Sequence, residues 1–147
     1  MVEFDDINVD FVRRTLLIID QYEQYIPQNI PRKEQFEITL LINCLLGLLI
    51  LPKARHSERI PSESIESWGM NKEFIRNWGN ERNKNLKGLI HQLRNSVAHF
   101  DITANSFAGE ISEIVFRDTH FNNNFEAVIP VKKLSEFVRY FGRFLIE

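Results

Sequence analysis

The sequence predicts a mainly α fold of four main helices with a small β-hairpin before the last helix. Three observations predict it. Apolar side chains recur at three- and four-residue steps in four separate segments, the period drops to two between about residues 112 and 131, and prolines fall at the joints. The 147 residues suit a single domain over 1–147, long enough to bury roughly two thirds of its unfolded surface.

The first helix is expected from about Asp10 to Ile26, where Val12, Leu16, Ile19 and Ile26 keep helical spacing and Pro27 and Pro31 stop it. A second should run from about Arg32 to Leu51. Its Ile38–Leu51 stretch is almost continuously apolar, yet shorter than the roughly 20 residues that cross a bilayer, so it reads as a buried central helix. Within it Thr39, Asn43 and Gly47 share one face, and a buried Asn43 would need partners on a neighbour that Gly47 lets approach. Residues 52–66, with Pro52, Pro61 and His56, read as a loop. Trp68-Gly69 and Trp78-Gly79 bracket a short helical candidate, as packing aromatics followed by helix-ending glycines.

The clearest helix runs from about Glu81 to Phe100, with Leu86, Ile90, Leu93, Val97 and Phe100 forming the core stripe. With Arg94 at zero, that stripe spans roughly 240° to 320°, while Lys87, Ala98, His91, Asn95 and His99 lie at about 20° to 140°. Period-two strands follow: Ser112, Ile114 and Phe116, then Phe125, Ala127, Ile129 and Val131 after the turn Asn122-Asn123-Asn124, with Pro130 at a strand end or edge. Leu134, Phe137, Val138, Phe141 and Leu145 mark the closing helix, from about Lys132 to Ile146.

Composition excludes several classes. One cysteine, Cys44, forms no internal disulfide framework or thiolate zinc site and reads as a buried free thiol. Neither His-Glu-x-x-His nor a glycine-rich loop with a following Lys-Ser/Thr occurs, so no metal and no cofactor is expected. The Met-Val-Glu-Phe-Asp-Asp start lacks a basic, apolar leader, which gives the expectation of a cytoplasmic protein without membrane partners. The net charge of −2 rules out a uniformly basic nucleic-acid binder and makes any polyanion site local. Such a surplus exists between Lys72 and Arg94, where Lys72, Arg76, Arg82, Lys84, Lys87 and Arg94 face only Glu73 and Glu81.

Arg94-Asn95-Ser96-Val97-Ala98-His99 brings together residue types suited to phosphodiester chemistry. A guanidinium fork binds phosphate oxygens, and an imidazole, with an ordinary pKa of about 6.5, moves protons near neutrality. Asn95 and His99 are neighbours one turn apart, whereas Arg94 lies about 140° from His99, so Arg94 must reach round the helix or act across an interface, where a two-fold dimer would gather all three in one cleft. Lys87 and His91, on the same face, are candidates for substrate binding. A solvated helix face carries the same residues without chemistry, and composition alone leaves both readings open.

The string Arg94-Asn95-Ser96-Val97-Ala98-His99-Phe100, ending a long helix, resembles the Arg-x(4-6)-His motif of HEPN-domain ribonucleases, in which a polar residue often follows the arginine. The apolar helix from Thr39 to Pro52 extends the resemblance to small bacterial and mobile-element members. The resemblance implies a HEPN-like helical bundle. It also implies a metal-independent endoribonuclease acting on single-stranded RNA as a homodimer, with Arg94, Asn95 and His99 catalytic, used as a toxin or phage-defence effector under an antitoxin or regulatory partner. Two alternatives stand beside it: a non-catalytic HEPN-like module that dimerises and binds RNA, nucleotide or protein, and a plain helical scaffold.

Overall fold

The computed structural model describes the backbone of residues 7–32, 35–55 and 60–147. His56 lies outside the described residues. Among the described residues four α-helices, α1 (Ile7–Asn29), α2 (Glu37–Arg55), α3 (Leu86–Ala98) and α4 (Val131–Ile146), pack with four strands, β1 (Ile75–Trp78), β2 (Ile102–Phe107), β3 (Glu110–Asp118) and β4 (Phe125–Pro130). The sheet is antiparallel in the order β1-β4-β3-β2. Among the described residues no helix is long and apolar enough to cross a membrane.

The predicted hairpin is β3–β4, with Ile114 opposite Ile129 and Phe116 opposite Ala127. It is the centre of a sheet and not an appendage, because β1 and β2 add to its two edges. Residues between the two Trp-Gly pairs form one short 3₁₀ turn, Lys72–Phe74, and β1 instead of a helix, and a second 3₁₀ turn, Ile65–Trp68, precedes Gly69. Gly69 and Gly79 end these segments with φ of 81° and 67°, the left-handed region that favours glycine. Pro130 closes β4 and caps α4, so its missing N–H removes no ladder bond beyond the strand end.

Two prolines expected to end helices lie inside them. α1 continues through Pro27 to Asn29 and α2 through Pro52 to Arg55. A proline one turn from a helix end forfeits a single backbone bond, a loss that packing elsewhere on the helix offsets. α1 buries Val12 and Ile19, and α2 buries Leu41, Cys44, Leu45 and Leu48. Burial raises the pKa of the Cys44 thiol, which keeps it protonated.

Asn43 and Thr39 are exposed, so the expected buried partner for Asn43 is not required. Gly47 does serve close approach: a Cβ there would lie 2.8 Å from the Phe11 ring of α1. α4 closes the core with Leu134, Phe137, Val138 and Phe141 fully buried, and Arg139 ties it to Asp20 and Glu23 of α1.

Candidate active site

α3 begins at Leu86, later than its periodicity indicated, because residues 79–85 fold back over its first turn. Asn85 caps the helix through its side chain, 3.1 Å from the Gly88 N–H. Gly88 is required there, since a Cβ would lie 1.7 Å from the Asn83 carbonyl oxygen. This loop carries Glu81 to His91, whose Nδ1 is 2.7 Å from the carboxylate.

The other end of α3 closes with two bonds, Phe100 N–H to the Val97 carbonyl and Asp101 N–H to the Ser96 carbonyl. That is the Schellman pattern, which needs a left-handed residue after the cap; Phe100 supplies it at φ 53°. Phe100 is consequently turned off the core stripe and is 78 % exposed, a correction to its expected burial. His99 becomes the cap residue, held where the chain reverses into β2.

His99 Nδ1 lies 2.9 Å from Oδ1 of Asp118, the last residue of β3. The same oxygen accepts the His120 backbone N–H at 3.1 Å, and Oδ2 accepts Asn123 Nδ2 at 2.9 Å. Asp118 is only 2 % exposed. Burial works against its ionisation, but the bonds from Asn123, the His120 N–H and His99 outweigh it and lower its pKa below the ordinary carboxylate value. An ionised carboxylate only accepts, so His99 Nδ1 carries the hydrogen and Nε2, at the other edge of the ring, keeps a lone pair in the neutral form.

Behind Asp118 lies a buried amide pair. Asn123 Nδ2 donates to Gln92 Oε1 at 2.7 Å, and Gln92 Nε2 returns to Asn123 Oδ1 at 3.2 Å and reaches the Trp78 carbonyl at 2.9 Å. α3, β1, β3 and the 119–124 turn are thereby joined by one polar network. Within that turn Phe121 and Asn122 both take positive φ, 52° and 60°, and the His120 ring stacks on His99 with centroids 3.9 Å apart and planes at 15°.

The residues expected from sequence fall on two parts of α3. Arg94, half-buried, lines a cavity of about 260 Å³ with Glu81, Lys87 and His91. Burial lowers the Arg94 pKa, though a guanidinium stays charged at any physiological pH. His99 lies instead over the end of β3, and Asn95, half-buried, is one turn before it. Lys87 and His91 are exposed, as placed.

Sequence reasoning missed Asp118, His120, Asn123 and Gln92. An acidic residue and a histidine two apart at the end of a period-two strand, Asp118-Thr119-His120, were the only signal available.

His99, Asp118 and His120 each bring a donor atom within 4.8 Å of the others, the spacing from which a cation site is built. The stack argues against one ion shared by both rings. Imidazole lone pairs lie in the ring plane, and nearly parallel planes do not converge on a zinc at about 2.0–2.1 Å from each nitrogen. The arrangement suits proton transfer: an oriented imidazole, a buried carboxylate behind it and a second imidazole alongside.

No curated protein and no solved structure matches the chain. The family described as HEPN pEK499 p136 matches it over residues 1–147, from the first residue to the last. The chain therefore belongs to that family and is a HEPN-domain protein.

Proposed function

We propose that this HEPN protein is a metal-independent endoribonuclease that cleaves single-stranded RNA as a homodimer and serves as a toxin or phage-defence effector held by an antitoxin or regulatory partner. The observation that carries the reading is the His99–Asp118 pair. A carboxylate that is 2 % exposed and ionised fixes the imidazole tautomer, so that Nε2 is the atom free to take the proton of a 2′-hydroxyl. Arg94 neutralises charge growing on the phosphate, and Asn95 positions His99 or a phosphate oxygen. Lys87 and His91, which share the Arg94 cavity, hold the strand. The Phe121 ring, 92 % exposed and edge-on to His120, is a surface on which an unpaired base stacks.

A second reading, a non-catalytic module that dimerises and binds RNA, nucleotide or protein, is favoured by one observation: Arg94 and His99 serve different parts of α3 within one chain. Incubation with single-stranded and structured RNA in EDTA separates the two. The ribonuclease reading expects cleavage of the single strand that Arg94→Ala and His99→Ala each abolish. Intact RNA, or cleavage by His99→Ala at the wild-type rate, assigns the chain to the binding module.

A further inference from the structure

We propose that His120 is a second catalytic residue, the general acid that protonates the leaving 5′-oxygen while His99 is the base at the 2′-hydroxyl. The inference rests on the ribonuclease reading of this site and adds to it a group outside the Arg94–His99 motif.

Four features single out His120 from an ordinary surface histidine. Its ring lies parallel to that of His99 at 3.9 Å. Its backbone N–H is bound to Asp118 Oδ1, the same atom that orients His99, so one buried carboxylate sets both residues in register. The next two residues hold left-handed backbone, which fixes the turn, and Asn123 anchors its far end to Asp118 and Gln92. The His120 side chain is exposed and, among the described residues, its ring nitrogens have no hydrogen-bond partner.

The spacing fits the reaction. In cleavage of RNA by its own 2′-hydroxyl, the attacking and leaving oxygens lie in line on opposite sides of phosphorus. The two ring centroids lie 3.9 Å apart, so both imidazoles can address one phosphodiester. The reaction needs one neutral and one protonated ring, and stacked like charges repel. Among the described residues Asp118 of β3 is the charged group bonded to both members of the pair, to the ring of His99 and to the backbone N–H of His120.

The step balances without a further reactant. His99 Nε2 takes the 2′-hydroxyl proton as the 2′-oxygen bonds to phosphorus. The bond from phosphorus to the 5′-oxygen breaks, its electron pair leaves with that oxygen, and His120 donates the proton the oxygen then carries. A 2′,3′-cyclic phosphate and a 5′-hydroxyl result. Proton exchange with water returns His99 to its neutral form and His120 to its protonated form.

The test compares two substrates in EDTA: a single-stranded oligoribonucleotide, and a ribonucleoside 3′-(4-nitrophenyl) phosphate whose leaving group departs without protonation. His120→Ala is expected to lower kcat on the oligonucleotide by about a hundred- to ten-thousand-fold with KM little changed, and to remove one limb of the bell-shaped pH profile. On the nitrophenyl substrate it should stay within a few-fold of wild type, whereas His99→Ala is slow on both. His120→Gln, which keeps a polar side chain in the turn, should behave as the alanine variant does. Equal losses on both substrates for the His120 variants, or no loss on either while His99→Ala is inactive, overturn the role of His120 and leave the ribonuclease reading standing. A wild type that cleaves neither substrate overturns both.

Discussion

Asp118 carries three donors on two oxygens, His99 Nδ1 and the His120 N–H on Oδ1 and Asn123 Nδ2 on Oδ2. An asparagine at this position keeps the shape but presents an N–H₂ to one of those donors and removes the charge that stabilises a protonated His99. Asp118→Asn should therefore reduce RNA cleavage by about a hundredfold or more, the range in which general base catalysis operates, with KM changed little. Its pH dependence has a definite sign. Because the folded pKa is lowered from 3.8, the Asp118 contribution to stability is full above the unfolded value and is lost as pH falls through the folded one. Thermal melts of wild type and Asp118→Asn should differ most at neutral pH and converge below about pH 4, and a gap that widens with acid would contradict this account. Phe100 is another residue under local constraint. Exposed, and left-handed without being glycine, it should yield a more stable protein as Phe100→Gly, by about 1 kcal/mol in urea denaturation, since the left-handed region costs an L-residue roughly that much.

Elements meet at this site through amides more than through charges. Gln92 on α3 and Asn123 in the turn are buried, and each satisfies the other while reaching a third group, Trp78 O for one and Asp118 for the other. Asn123→Ala leaves Gln92 Oε1 and Asp118 Oδ2 each short of a donor in a buried setting. A loss of about 1 to 3 kcal/mol is expected, together with a displaced His120 and slower cleavage; unchanged stability would show that the amide pair does not hold the turn. The same elements mark what could be read from the chain. α3, α4 and the β3–β4 hairpin each bury one face and so write their period into the sequence. β2 does not, because as an edge strand it leaves nearly every side chain in water, and β1 has only four residues. Arg94, Asn95 and His99 were legible because helical arithmetic relates residues of one helix. Asp118 and Asn123 were not, because they reach their α3 partners 19 and 31 residues along the chain, across a register that only the folded sheet fixes.

At the scale of the whole molecule the separation of Arg94 from His99 decides how the site is assembled. Arg94 belongs to a cavity with Glu81, Lys87 and His91, and His99 to the Asp118 network, so one chain presents two half-sites on α3. A two-fold axis beside this helix would set Arg94 of one copy against His99 of the other. Subunit mixing tests that arrangement more directly than mass alone. Arg94→Ala and His99→Ala homodimers each lack one member at every site. Once exchanged, a mixed dimer regains one site with both members intact, and the second site loses both. Random exchange makes half the dimers mixed, each with one working site of two, so activity should return to about a quarter of wild type. No recovery after verified exchange places Arg94 and His99 of the same chain at each site. A persistent monomer in analytical ultracentrifugation at high concentration removes the composite cleft altogether.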